Sequence, residues 1–147
     1  MATSWLGRGG HVLLLAQSDP GPLALPGSLE LASLPTGWGS TPFIFTNFKP
    51  GLPSLPKGAV LASELLSASP EFVYTGIAGQ AFAPETAVAV LKPPPRELTG
   101  TVVGRVRAEG GLLTVCQLPL AGAARAGDPL AVALLGDLLR WARPSRR

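Results

Sequence analysis

Two segments of the chain are almost unbroken runs of apolar residues, and both predict buried strands. Residues 11–16 read HVLLLA and residues 112–118 read LLTVCQL, without alternation of apolar and polar positions. This pattern is typical of strands covered on both faces, as in the parallel sheets of α/β proteins. Shorter β-prone segments between turn-forming residues predict further strands at 28–32, 42–48, 72–77, 86–91 and 99–106. The pattern at 59–68 fits a short strand and a single helical turn equally.

The clearest helix is predicted near the C-terminus. Asp128 is a good N-cap, Pro129 suits the first helical position, and leucines recur at helical spacing up to about residue 142. The spacing places Asp137 and Arg140 on the polar side of this helix. Its apolar stripe is therefore expected to pack on the strand that precedes it. A shorter helical segment is predicted at 2–8, where two glycines close it.

Composition changes this picture because the chain is short of charge. Charged residues make up 14% of the 147 residues and apolar residues 46%, whereas ordinary soluble domains carry about 25% charged residues. The 18 glycines and 16 prolines predict long loops between the strands. Aliphatic residues nevertheless occur in nearly every stretch of ten, and disordered chains lack them. We expect a single domain over 1–143, followed by a basic tail at 144–147.

Charge and targeting signals argue against two classes of partner. Four of the 12 cationic residues fall in the last eight positions, so the net charge of +3 does not indicate a basic face that would bind nucleic acid. No apolar run approaches the roughly 20 residues of a membrane-spanning helix, and the N-terminus lacks the pattern of a secretory signal. We therefore expect no nucleic acid and no membrane as partners. The compartment stays open, with the cytoplasm as the default.

The sequence offers little catalytic chemistry. Its one histidine, His11, begins a predicted strand, and its one cysteine, Cys116, lies within a strand instead of in a sharp glycine-flanked turn. A triad needs a base and an orienting acid beside its nucleophile, and zinc needs three or four ligands. We expect no catalytic residue, no metal and no cofactor. A divergent cysteine enzyme that uses Cys116 and His11 is kept as an alternative.

One ligand site is a further alternative. Trp38 lies in the loop sequence GWG, where its ring can stack on a sugar or a peptide, and Gln117 lies at the end of the strand at 112–118. Ligands of open α/β sheets gather at the carboxyl ends of the strands. Trp38 and Gln117 are thus the candidate residues of a carbohydrate or small-ligand site. The competing interpretation of Trp38 is a hydrophobic plug over the core.

Several passages of the sequence resemble a known family. The opening SWLGRGGHVLLLAQ is similar to a passage of class I glutamine-amidotransferase-like domains in which a helix end, two glycines and a strand follow one another. The closing GGLLTVCQLPL and GDPLAVALLGDLLRWA are similar to the last strand and last helix of that domain. GAVLASELL and PEFVYTGI resemble its sheet segments more loosely. The version most resembled is found near the C-terminus of family 2 glycoside hydrolases of the β-galactosidase and β-glucuronidase type.

The resemblance implies an α/β fold, namely a partial flavodoxin-like sandwich with a mixed, largely buried sheet and a C-terminal packing helix. It also implies that only the later part of such a domain is present, since the family's earlier strands would precede the WLGRGG passage. The family's catalytic cysteine elbow and late histidine have no counterpart, so no catalytic residue is carried over. The expected function is a non-catalytic accessory module that packs against other domains of a glycoside hydrolase or a second copy of the chain, with an apolar edge or face near 11–16.

Overall fold

The structure is a computed structural model that describes residues 2–16, 23–26, 28–33, 43–46, 52–55, 58–61, 75–78, 86–92 and 97–143. Within these residues the helices are α1 (Ala2–Leu6), α2 (Leu120–Arg125) and α3 (Pro129–Trp141). The strands are β1 (His11–Leu15), β2 (Leu23–Leu25), β3 (Leu29–Ser33), β4 (Phe43–Thr46), β5 (Gly58–Leu61), β6 (Thr75–Ala78), β7 (Thr86–Lys92), β8 (Glu97–Ala108) and β9 (Gly111–Cys116).

All nine strands belong to one mixed sheet. Seven of them follow the order β2-β3-β6-β8-β7-β4-β5, with antiparallel pairing throughout. β9 pairs antiparallel with the second half of β8, and β1 pairs parallel with β9 from His11↔Leu112 to Leu15↔Cys116. The pair β1 and β9 is the parallel part of this sheet among the described strands.

The long strand β8 divides the sheet into two arms. β7 lies along one edge of β8, while the other edge pairs with β6 at Gly100 and Thr101 and with β9 from Val103 onward. Val102 is an extra residue between these two pairings, because β8 advances two residues where β7 advances one. The sheet therefore branches along this edge of β8. One arm, β6-β3-β2, continues from the first half of the edge, and the other arm, β9-β1, continues from the second half.

Two hydrophobic clusters hold this arrangement together, and β9 contributes to both. On one face, Cys116 packs with Val103 and with α2 and α3 in what we call the helix-side core. On the opposite face, Leu113 and Val115 pack with residues of α1, β3 and β6 in what we call the arm-side core. β9 therefore has the two-sided burial that its unbroken apolar run predicts.

Helix α3 begins and ends close to the predicted positions. The Asp128 carboxylate accepts hydrogen bonds from the N–H groups of Leu130 and Ala131 at 2.9 and 3.0 Å, so it caps the helix as expected. The side chains of Ala131, Leu134, Leu138 and Trp141 are buried in the helix-side core. The predicted α/β class, the mixed sheet and the C-terminal packing helix are confirmed.

Two elements of the structure were not predicted, and one segment had been left open between a strand and a helical turn. Strand β2 lies in a proline-rich stretch that predicted a loop, because antiparallel pairing with β3 organises residues with no strand pattern of their own. Helix α2 has the sequence LAGAAR, which is too short for its periodicity to be recognised. At 59–68, the first residues belong to β5 and residues 62–68 lie outside the described part of the chain.

Two glycines allow α1 to approach the start of the parallel pair closely. A Cβ atom on Gly10 would overlap the ring and the carbonyl of Trp5, and one on Gly111 would overlap the backbones of Gly10 and Leu6. Only glycine leaves room for these backbone contacts. The glycine pairs in the sequence thus serve to seat α1 against β1 and β9.

Candidate functional site

The first strand, β1, has one edge that is paired and one that is open. The N–H of Leu112 donates to the carbonyl of Gly10 at 3.0 Å. In a parallel pair every second residue bonds to the neighbouring strand. Counting from Gly10, the peptide groups of His11 and Leu13 therefore point away from β9. Among the described residues no other strand pairs with β1, so within that part of the chain the peptide groups of His11 and Leu13 form an open sheet edge.

The open edge is apolar on both of its faces. All five residues of β1 are half-buried. Val12 and Leu14 pack on the arm-side core, while Leu15 packs on the helix-side core. Proteins usually protect an edge strand with lysine, proline or a bulge, and HVLLL contains none of these. The edge has the chemical character of an internal strand of a sheet.

Helix α3 packs on the helix-side core, against which Leu15 of β1 also packs. Asp137 faces the segment 52–55, whose Leu52 and Leu55 pack with Val103 of β8. Leu135 lies two residues earlier and is therefore about 200° away around the helix axis. This places Leu135 on the flank of α3 opposite Asp137, where it packs against the helix-side core.

On the opposite face, Trp5 of α1 is 57% exposed although it is among the largest apolar side chains of the described residues. Its ring lies against Gly10, at the start of β1. A large aromatic side chain that stays exposed beside a strand edge adds apolar contact area at low entropic cost. Apolar surface is thus available on both sides of the open edge.

Hydrogen bonds from His11 and Arg105 hold the C-terminal end of α3 at the start of β1. The carbonyl of Ala142 lies 3.1 Å from His11 Nδ1 and has no hydrogen to donate, so Nδ1 is the donor. Arg105 donates to the carbonyl of Trp141 at 2.9 Å, and its guanidinium lies 4.8 Å from the centre of the Trp141 ring. These donors satisfy carbonyls that the helix leaves unpaired at its C-terminus. His11 therefore has a structural role in this geometry.

Cys116 is placed where its thiol is inert. It is fully buried, and this burial raises the pKa of the thiol to about 12, although a hydrogen bond with the Leu118 backbone acts to lower it. Nucleophilic cysteines react as thiolates. Cys116 pairs with Leu15, four residues along β1 from His11, which is a separation of about 13 Å. The structure does not bring together the two residues that a cysteine enzyme would need.

The thiol faces a small apolar cavity beneath the segment 52–55. The cavity has a volume of about 10 Å³ and is lined by Cys116, Val103 and leucines of the helix-side core. A water molecule needs two to four polar partners to occupy such a space. This lining offers leucine and valine side chains instead, so the cavity has no features of a substrate site.

The two predicted ligand residues have different outcomes. Gln117 directly follows β9, at the carboxyl end of the parallel pair, and its N–H donates to the carbonyl of Val102 at 2.9 Å. Its side chain is 2% exposed. Trp38 lies outside the described residues. The nearby N-terminus of α3 already has Asp128 as its cap. The carbohydrate or small-ligand site stays a prediction.

Asp137 is a buried charged residue whose exposure was predicted wrongly. Expected on the polar side of α3, it is 1% exposed and accepts a 2.7 Å hydrogen bond from the N–H of Ser54. Burial acts to raise the pKa of Asp137, but hydrogen bonds from Ser54 and Arg140 outweigh it and lower the pKa overall. Ser54 is 83 residues away in sequence, so helical spacing carries no signal of this contact. The carboxylate holds the segment 52–55 over the helix-side core.

Among the described residues, no group of three or more histidine, cysteine, aspartate or glutamate side chains is placed to hold a metal ion. No helix in the described part of the chain combines the length and the apolar character needed to cross a membrane. A scan against protein-family models gave no match, and searches of curated proteins and of solved structures gave none either. The functional argument therefore depends on the geometry of the chain itself.

Replacing Asp137 by asparagine is expected to lower stability at neutral pH by about 1–2 kcal/mol, since a charge-assisted contact is lost. Because the folded pKa of Asp137 is below its unfolded value of about 3.9, its contribution is complete above roughly pH 5 and is lost as pH falls through the folded pKa. Urea unfolding from neutral to acid pH should show the two proteins converging. A difference that is constant over the whole range would contradict this account.

Cys116 should resist alkylation in the folded chain. Since a thiol with a pKa of about 12 is almost entirely protonated at neutral pH, iodoacetamide should label it at least about a hundredfold more slowly than in the denatured chain. Mass spectrometry of timed samples measures both rates. Equal rates for the folded and the denatured chain would restore the cysteine-enzyme hypothesis.

Proposed function

We propose that this chain is a non-catalytic α/β accessory module that packs against other domains of a larger glycoside hydrolase, or against another chain, through the open edge of β1. The observation that carries the proposal is the unguarded edge itself. The peptide groups of His11 and Leu13 point outward from a strand whose neighbours on both faces are apolar. Such an edge is a template for one more strand.

The added strand has a definable character. Because β1 already pairs parallel with β9, a further parallel strand would extend the parallel part of the sheet. Its side chains would lie beside the helix-side core on one face and beside the arm-side core on the other, since Leu15 packs on the first and Val12 and Leu14 on the second. Both of its faces would then be covered, so it needs apolar residues at consecutive positions.

The resemblance to amidotransferase-like domains supports a further strand at this edge. In amidotransferase-like domains, earlier strands precede the passage that this chain shows as WLGRGGHVLLL. Strands of that kind are the natural occupants of the β1 edge. In a glycoside hydrolase they would belong to the same enzyme, and sugar cleavage would be the work of another domain.

The candidate catalytic groups support a packing role. His11 donates to the end of α3, and Cys116 is a buried thiol that remains protonated at neutral pH. Nucleophilic catalysis needs the nucleophile within hydrogen-bond reach of its base. The described residues place these two at opposite ends of β1. The proposed module contributes surface and stability to a larger assembly.

The isolated chain should self-associate through the β1 edge. Sedimentation velocity over a wide range of concentrations is expected to show oligomers that the substitution Leu13→Lys removes, because a charged side chain on the edge opposes strand addition. Leu13→Pro should act in the same way, since the Leu13 N–H points away from β9 and proline is tolerated at such positions. Circular dichroism would verify that each variant is folded.

Leu23→Lys is the matched control, because Leu23 is 41% exposed on β2, at the far end of the other arm. It should leave association unchanged. A chain that stays monomeric at every concentration, or whose association is removed by Leu23→Lys and not by either Leu13 variant, would overturn the proposal.

A further inference from the structure

Residues 52–55 form a short segment outside the helices and strands, and we call it the strap. The N–H of Leu55 donates to the carbonyl of Leu52 at 3.1 Å, which closes the strap into a turn. The turn places the side chains of Leu52 and Leu55 in the helix-side core, where both are buried. Pro53 is exposed and Ser54 is half-buried. The strap therefore covers part of the core with two leucines.

One carboxylate, that of Asp137, joins the strap to α3. Asp137 Oδ2 accepts the N–H of Ser54 at 2.7 Å, and the Ser54 hydroxyl also donates to this carboxylate. Asp137 Oδ1 accepts a hydrogen bond from Arg140, about one turn further along the helix. The two oxygens therefore serve two elements, since Arg140 orients the carboxylate on α3 while the strap is bound to its other oxygen.

The strap forms one wall of the small cavity that Cys116 lines. Leu52 and Leu55 lie on this wall, and the other walls are side chains of β8, β9, α2, α3 and Leu118. Pro53 is exposed on the outer side of the strap. If the strap moved away, the cavity and the space of the two leucine side chains would become one apolar groove. The strap thus stands between the Cys116 thiol and the solvent.

The strap is held by fewer contacts than the strands beneath it. β8 and β9 pair with each other from Val103↔Cys116 to Ala108↔Gly111, so neither can leave the sheet without breaking a ladder of backbone hydrogen bonds. The strap lies outside this ladder and is bound through its two leucines and the Asp137 carboxylate. Segments that lack ladder hydrogen bonds and bury little apolar area open at a lower free energy than the whole fold. The strap meets both conditions.

We propose that the strap is a lid that opens as a unit while the sheet and α3 stay folded, and that Asp137 is its latch. The closed form seals this part of the helix-side core. The open form exposes an apolar groove with the Cys116 thiol at its base. Asp137 is a positioning residue in this device, because it acts on the groove only through the strap. The inference goes beyond the proposed function, which uses the outward edge of β1, and does not depend on it.

Alkylation of Cys116 in the folded chain measures the opening, because the rate follows the fraction of open molecules when closing is fast. Asp137→Asn keeps the shape of the side chain and removes its charge, so iodoacetamide should label the folded variant about tenfold faster. Ser54→Ala removes the hydroxyl and leaves the N–H, so it should raise the rate by a smaller factor. Mass spectrometry of timed samples gives each rate, and circular dichroism verifies that the variants are folded.

Asp128→Ala is the matched control. Asp128 caps the start of α3, so its loss weakens the same helix without touching the latch. The labelling rate of the folded chain should stay nearly unchanged, although urea unfolding should show a lower stability. A second measurement follows the labelling rate of the unchanged chain in low concentrations of urea. Opening of the strap exposes little surface, so this rate should be almost constant until global unfolding begins.

Any of three results would overturn the proposal. The first is a labelling rate that Asp137→Asn and Ser54→Ala both leave unchanged. The second is equal acceleration by Asp128→Ala and Asp137→Asn, which would assign access to a loss of helix stability. The third is a rate that rises from the lowest urea concentrations with the full slope of global unfolding, because the thiol would then be reached only when the whole chain unfolds. Failure of self-association through β1 would leave these measurements unaffected.

Discussion

The structure depends on the position of β9 between β8 and β1. β9 is paired on both edges and covered on both faces, so one strand joins the parallel and antiparallel parts of the sheet and both hydrophobic clusters. The helices that follow β9 in sequence pack back onto it. β1 shares much of this environment, but among the strands that the structure describes it has a partner on one edge only. The contrast between the two strands is the physical origin of the proposed function.

The helical layer is held over these strands by polar contacts at its two sides. His11 and Arg105 bind the last carbonyls of α3, while Asp137 binds the segment 52–55. Hydrogen bonds to charged groups contribute more than neutral ones when they are shielded from water. The helix is thereby fixed over the helix-side core, with its C-terminal end at the start of β1.

The local sequence pattern was sufficient to predict some elements of the fold. The run at 112–118 predicts a strand that is buried on both faces, and Asp128 with Pro129 predicts the start of α3, because in each case the signal lies within a few neighbouring residues. The run at 11–16 predicted the strand and an apolar edge or face near it, but not which edge of β1 is paired, since pairing with β9 is a contact between residues about 100 positions apart. Asp137 was misplaced for the same reason. Locating the site therefore required the register of the sheet, whereas the low charge content of the sequence already indicated an apolar surface.

Hydrogen exchange of the β1 amides tests the central claim most directly. In the dilute, monomeric chain the amides of Val12 and Leu14, which face β9, should exchange slowly, whereas the Leu13 amide between them should exchange orders of magnitude faster. As the protein concentration rises, protection of Leu13 should rise toward that of its neighbours. Equal and strong protection of all three amides in the monomer would show that the edge is already covered, and would contradict the account.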